Sequence, residues 1–315
     1  MKSILSLFLG IICFATAWSN QLIDTSYAVE IGGIKQWISI KGQDTSKPVL
    51  LWLHGGPGAS EMGYSNKFSN RLQQHFIVVQ WDQRESGKTA ELNHSPELSL
   101  REIHQDVYDI VKYLLLQFHK EKLFLVGNSW GGYLALHAAN QYPELMQACI
   151  LVSPMIFGNE SEQLSLEYVT EEAKKRKNNI AIEEIASIKV PFEQPMDTWI
   201  LRKWMFTFHG ENVSRALPPE KTFLDIVTPW FPIVKEFESF NPFTEIQKID
   251  CPIFFLLGKK DYITHTEITQ KFYTQLKAQT KNIYWFDAGH MITIEQSRKM
   301  QETIINQIGS ALISK

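Results

Sequence analysis

An α/β fold with a mostly parallel sheet, helices on both faces and an inserted helical cap is what this sequence predicts, on three observations. Short apolar runs with little alternation, typical of strands buried on both faces, recur along the chain. Helical stripes separate them, which implies right-handed crossovers between parallel neighbours. The stretch 155–250 breaks that rhythm: it is rich in charge, Trp and Phe and carries helical patterns without a strand pattern. The expected organisation is a leader over 1–19, a core from 20–154 and 251–315, and a cap from 155–250 between two strands of that core.

Each element follows from its residues. Lys2 precedes the apolar stretch from Ile4 to Phe14, and the small residues Ala15, Ala17 and Ser19 come next. This is the pattern of a secretory signal peptide, and the stretch is shorter than the ~18 residues of a spanning helix. Cys13 follows Ile11 and Ile12, which lack the small side chains that a lipidation site needs. A periplasmic or secreted protein, with no stable membrane association once the leader is cut, is expected. Residues 27–31 and 35–40 alternate around Gly32 and Gly33 and predict an antiparallel edge hairpin. Residues 48–53 and 76–81 predict central parallel strands.

From Ser99 to Lys120, the residues Ile103, Val107, Ile110, Val111, Leu114, Leu115 and Phe118 share one helical stripe, opened by a capping box of Ser99 and Glu102. Residues 123–126 predict the next strand, and the helix after it ends at Pro143. Further strands are expected over 149–152, 251–257 and 283–286, and a final helix over roughly 294–312. Inside the insertion, helical runs lie at 162–177 and 196–208.

With 315 residues the chain is long for one average domain but ordinary for an α/β fold carrying an insertion. Lys and Arg number 31 against 34 Asp and Glu, so a net charge of −3 leaves no basic footprint for nucleic acid and no polybasic membrane surface. An apolar content of 44% with 12% aromatics supports a large core and argues against disorder. Beyond the leader, Cys149 and Cys251 each open a predicted strand. Two buried free thiols are favoured over a bridge, because a disulfide between adjacent parallel strands is geometrically awkward. No convincing metal-ligand spacing, phosphate-binding glycine loop or nucleic-acid motif occurs, so no cofactor and no metal are expected.

Gly127-Asn128-Ser129-Trp130-Gly131 follows the apolar run 123–126 and precedes a helical stretch. That is the context of a nucleophile elbow, in which a Gly-x-Ser-x-Gly turn lifts the serine hydroxyl out of the sheet beside the first amides of the next helix. A serine needs a base to take its proton and an acid to orient that base. In the chain order that goes with this elbow, acid and then histidine follow the serine, each just past a strand end. Asp261 and His290 occupy those positions. His265 is the rival base, set aside because Thr264 and Glu267 would cap a helix there; Asp250 and Asp287 are the rival acids. Directly after the strand 48–53 comes His54-Gly55-Gly56-Pro57-Gly58. An inward-turned amide from this loop, Gly56 first and Gly55 next, would join the Trp130 amide in an oxyanion hole.

The series His-Gly-Gly-Pro-Gly at 54–58, Asp82-Gln83-Arg84 with Ser86-Gly87, and Gly-Asn-Ser-Trp-Gly-Gly at 127–132 resembles the proline iminopeptidase family of α/β-hydrolases. The resemblance implies the α/β-hydrolase fold, a Ser129–His290–Asp261 triad, and a structural role for Asp82 and Arg84. It also implies a small-molecule or short-peptide substrate with a free N-terminus, N-terminal proline among the candidates. Two departures stand out. Glu85 replaces the glycine common after Asp-Gln-Arg, and the Glu-Asn-His-Tyr-like cap segment that holds the substrate's amine is missing. Glu211-Asn212 is the nearest fragment, which makes Glu211, with Gly55, the candidate substrate-binding residue. A serine hydrolase of aminopeptidase type is the expected function. The alternatives are a carboxylesterase or lipase-like enzyme, in view of the aromatic cap, and a noncatalytic binding protein on a hydrolase scaffold.

Overall fold

The computed structural model describes residues 22–93, 98–209 and 217–313. The expected leader and Glu211 lie outside the described residues. The strands are β1 (Ile23–Ile31), β2 (Ile34–Gly42), β3 (Val49–Leu53), β4 (Ile77–Trp81), β5 (Leu123–Asn128), β6 (Met146–Val152), β7 (Lys248–Ile249), β8 (Ile253–Gly258), β9 (Lys277–Ala278) and β10 (Lys281–Phe286). Eight form one sheet in the order β1-β2-β4-β3-β5-β6-β8-β10, while β7 and β9 form a short parallel pair. The hairpin β1–β2 is antiparallel, β2 joins β4 antiparallel, and the remaining pairings of the large sheet are parallel. This is the α/β-hydrolase fold anticipated above, with its antiparallel N-terminal edge.

Strand β3 has β4 on one side and β5 on the other, so the chain reverses its direction of travel across the sheet there. In open α/β sheets such a reversal opens a crevice at the carboxyl ends of the strands. The loops that begin at His54 and Ser129 leave from those two ends.

Burial on both faces explains why the strands read as unbroken apolar runs. Along β3, Leu51 and Leu53 pack with Ile103, Val107 and Leu134 on one face, while Leu50 and Trp52 pack with Phe68, Ile150 and Met300 on the other. Each such side chain, taken wholly out of water, contributes roughly 1.5–3 kcal/mol. The helix Leu100–Gln117 buries the predicted stripe. Its capping box is complete, with the Glu102 amide donating to Ser99 Oγ at 3.2 Å and the Ser99 amide to Glu102 Oε2 at 3.1 Å. Cys149 and Cys251 are free and buried, and burial lifts both thiols, Cys251 to about 12.

Several elements differ from the sequence reading. The strand expected from Cys251 starts at Ile253, because Pro252 has no N–H for the ladder. The expected single final helix is broken into Ile292–Glu295, Ser297–Thr303, a wide π turn at Ile304–Gly309, and Ser310–Ile313. Gln296 leaves helical geometry at the first break (φ −128°, ψ 29°), and the Glu295 carboxylate turns back to accept the Gly289 amide at 3.2 Å. The Thr264–Glu267 cap does not form. His265, at φ 51°, stands at the start of the helix Thr266–Gln275 without a side-chain cap, and Thr264 spends its hydroxyl on Asp261 instead.

Between β6 and β7 run the helices Gly158–Lys175, Asn179–Ile185, Pro195–Phe208, Glu220–Val227, Phe231–Phe237 and Pro242–Glu245. The strand β7 falls within the 155–250 stretch, where no strand was expected. Val169, Ala173, Leu201, Met205 and Phe208 form an apolar cluster of their own, closed by Ile263 from the loop after β8. Trp230 and Phe237 meet Trp130 edge-on, at ring-centroid distances of 6.1 and 5.7 Å. The insertion is thus packed onto the elbow helix and onto the loop that carries Asp261.

Candidate active site

Ser129 joins β5 to the helix Trp130–Gln141 at φ 51° and ψ −114°, a left-handed geometry that a non-glycine residue adopts only under constraint. The constraint is visible in its hydrogen bonds. The Ser129 amide donates to the Val152 carbonyl at 2.9 Å, and its carbonyl accepts the Gly132 and Met155 amides at 2.8 and 3.0 Å. A Cβ on Gly127 would overlap the Gly131 carbonyl, and one on Gly131 would overlap the Leu53 carbonyl. Only glycine at both places lets the helix start this close to β3 and β5. Trp130 is the first residue of that helix, so its amide has no partner in the preceding turn.

Loops at two further strand ends bring their side chains to the elbow. His290 Nε2 lies 3.1 Å from Ser129 Oγ, and His290 Nδ1 lies 2.9 Å from Asp261 Oδ2. The Asp261 side chain is 2% exposed and that of His290 11%. Oδ1 of Asp261 accepts the amides of Ile263 and Thr264 at 2.9 and 3.0 Å, and Oδ2 accepts the Thr264 hydroxyl at 2.8 Å. Burial by itself would raise this carboxyl. The His290 charge and hydrogen bond, with the Thr264 donors, outweigh burial and hold it at about 2.

The rivals stand elsewhere. His265 Nε2 donates to Ser165 Oγ at 3.1 Å, while that hydroxyl donates to the Tyr262 carbonyl at 2.8 Å. Asp287 and Asp250 make exposed ion pairs with Lys260 and Lys248.

Beneath the cavity, the loops after β3 and β4 interlock. His54 donates from Nδ1 to the Gly55 carbonyl at 2.8 Å and accepts the Gln83 amide on Nε2 at 3.2 Å, and burial lowers its pKa, so it is neutral. Gln83 donates to the His54 carbonyl at 3.0 Å and accepts the Trp130 indole at 3.2 Å. Asp82 accepts the Ser60 hydroxyl and, at 2.9 Å, the Lys88 amide. Arg84 makes a bidentate pair with Asp106, at 2.7 and 2.9 Å, and donates to the Gly32 carbonyl at 2.8 Å. These contacts are structural in kind. Glu85 takes φ 52°, the conformation for which glycine is the common residue, and its carbonyl accepts the Trp230 indole at 3.3 Å.

Gly55, Gly56, Ser129, Trp130 and His290 all line one cavity of about 280 Å³. Its roof comes from the insertion and is largely apolar, with Phe192, Phe206, Phe223 and Phe237, yet it also holds Glu162, Arg202 and Glu238. Arg202 and Glu162 form a bidentate pair, with Nη1 donating to Oε2 at 2.9 Å and Nη2 to Oε1. Glu238 is raised by burial, against the nearby Lys235. Sequence reasoning missed these three residues and also Glu61, a buried acid on the floor. Glu162 and Arg202 lie on predicted helical runs, but nothing local to them says that they turn inward.

Residues 48–179 match the model of the α/β hydrolase fold family. A probable aminopeptidase, YbaC of Bacillus subtilis (strain 168), is 29% identical over 298 residues, covering 88% of this chain and 93% of that protein. A proline iminopeptidase of Lactobacillus helveticus (strain DPC 4571) is 30% identical over 125 residues, 39% of this chain and 41% of that protein. Among solved structures, the proline iminopeptidase of Mycobacterium smegmatis superposes with a TM-score of 0.65 at 15% identity, over 92% of this chain and 99% of that one, a likeness of fold. The chain is therefore a hydrolase of the α/β-hydrolase fold, similar in sequence to aminopeptidases of the proline iminopeptidase kind.

Proposed function

We propose that this protein is a serine hydrolase working through an acyl-enzyme, and that its substrates are small peptides or amides with a free N-terminus. The observation that carries the reading is the continuous hydrogen-bonded chain Ser129–His290–Asp261 opening into a cavity whose roof bears carboxylates. His290 Nε2 takes the Ser129 proton as Oγ attacks the carbonyl carbon. Asp261 keeps the other ring nitrogen as the donor and stabilises the imidazolium. Charge moving onto the carbonyl oxygen is met by the Trp130 and Gly56 amides. His290 then protonates the leaving amine, and water repeats the sequence in reverse to release the acid.

The preference for an amine follows from the roof. A protonated α-amino group needs a carboxylate beside it when water is excluded, and Glu238 faces the same cavity as Ser129, whereas both oxygens of Glu162 are taken by Arg202. The 280 Å³ volume suits a substrate of a few residues. On this reading, 155–250 acts as a cap, and residues 1–19 are a leader that directs the protein to the periplasm or the exterior. Among the described residues no helix is long and apolar enough to cross a membrane.

A fluorophosphonate probe should label the protein, and Ser129→Ala should abolish the labelling. A panel of aminoacyl 7-amido-coumarins should then reveal amide turnover, with N-terminal proline tested first. Hydrolysis of short p-nitrophenyl esters with no amide turnover would replace the aminopeptidase reading with the esterase one, which the aromatic lining favours.

A further inference from the structure

Glu61 is 4% exposed, lines the cavity of Ser129, and has no part in the chemistry described so far. Its Oε2 accepts the Trp52 indole N–H at 2.7 Å and its Oε1 accepts the Asn128 side-chain amide at 2.6 Å. Trp52 belongs to the end of β3, Glu61 itself to the loop that follows it together with Gly55 and Gly56, and Asn128 is the residue before Ser129. One side chain therefore ties together the three backbone segments that set the distance between that loop and the elbow.

The chemistry of the partners fixes what the group can be. The indole and the amide NH2 group are donors only, so they fit a carboxylate, which accepts only. Burial raises the Glu61 carboxyl, and these donors oppose the rise. With each oxygen already accepting a protein donor, Glu61 is poorly placed to hold a substrate amine. What it holds is the protein itself. An oxyanion hole works only when its donors stand at fixed positions before the reaction begins, and a shift of about 1 Å can cost ~10²-fold in rate.

We propose that Glu61 is a positioning residue for acyl transfer: it pins the Gly55–Gly56 loop against the Asn128–Ser129 turn, so that the Gly56 and Trp130 amides keep their spacing around the developing oxyanion. The inference rests on the serine-hydrolase reading above.

The test is the inactivation of purified protein by an alkyl fluorophosphonate, resolved into a maximal rate constant and a binding constant, with thermal melts run in parallel. Glu61→Gln keeps the shape but turns an NH2 group toward a donor. It should lower the maximal rate about 10- to 100-fold and leave the binding constant within about threefold. Trp52→Phe removes one donor and should lower the rate about two- to fivefold. A Glu61→Gln rate within twofold of wild type, or a loss carried by the binding constant alone, overturns the proposal. So does a lowered melting temperature with an unchanged rate per folded molecule, the mark of a merely structural role. If Glu61→Gln does not fold, an unchanged rate in Trp52→Phe overturns the proposal by itself. Failure of the wild type to show any Ser129-dependent labelling would instead remove the serine-hydrolase reading, and the inference with it.

Discussion

The floor and the roof of the cavity are built by different forces. The floor, made by the loops after β3, β4, β5, β8 and β10, is held by directional bonds: the Ser129 turn, the His54–Gln83 exchange, the Arg84–Asp106 pair and the donors around Asp261. The roof is held largely by packing, in the cluster around Leu201, Met205 and Phe208 and in the aromatic contacts of Trp230 and Phe237. Directional bonds fix atoms to a fraction of an ångström, which acyl transfer demands. Packing tolerates exchange of side chains of similar volume. Reaction type should therefore depend on the floor and substrate preference on the roof.

If Ser129 is the nucleophile proposed above, breaking the Ser129–His290–Asp261 chain on the floor should have the largest effect. Ser129→Ala should lower kcat by ~10⁶ and Asp261→Asn by ~10⁴, with KM little changed, in steady-state assays on the best substrate of the coumarin panel. A pH titration of the melting temperature sharpens the point. Asp261 is depressed from its ordinary 3.8 to about 2. Its contribution to stability is therefore intact above about pH 4 and lost as pH falls through about 2. The wild type should show an acid step in that window, and Asp261→Asn should lack it.

Next in size is the buried ion pair beneath the floor. Arg84→Met leaves Asp106 charged and unpaired at 1% side-chain exposure, and should cost about 3–5 kcal/mol in urea denaturation. Replacing both partners, Arg84→Met with Asp106→Leu, should restore much of that loss, since no lone buried charge then remains.

A change in the roof should separate specificity from chemistry. Glu238→Gln should raise KM for substrates with a free amine about 10- to 100-fold, the worth of a charge-assisted hydrogen bond, and leave short-ester hydrolysis within about twofold. A fall in kcat on both substrate kinds would mean that floor and roof are not separable. The smallest effect belongs to the seam between them. Glu85→Gly should stabilise the fold by about 1 kcal/mol, because φ 52° strains a side chain bearing a Cβ, and should not change kcat.

Legibility in the sequence followed the same division. The elbow, the capping box of Ser99 and Glu102, and the edge hairpin are encoded in neighbouring residues, and each stands where the pattern predicts. Asp261 and His290 were legible because parallel strands bring their carboxyl ends to one edge, whatever the distance along the chain. Local reasoning failed where a distant contact competed with a local one. Thr264 matched a capping pattern, yet its hydroxyl bonds to Asp261. The stripe over 294–312 read as one helix, yet Glu295 turns back to the Gly289 amide and the helix breaks at Gln296.

By itself, then, the sequence determined the fold class, the Ser129 turn and the placing of His290 and Asp261 beside it, because those features depend on short patterns and on the regular geometry of a parallel sheet. Tertiary structure alone decided that Glu61 lies between β3 and the elbow and that Glu162, Arg202 and Glu238 face the cavity. A carboxylate on a helix or loop reads the same in sequence whether water or a buried ring of donors surrounds it, and only the packing of remote segments makes that choice.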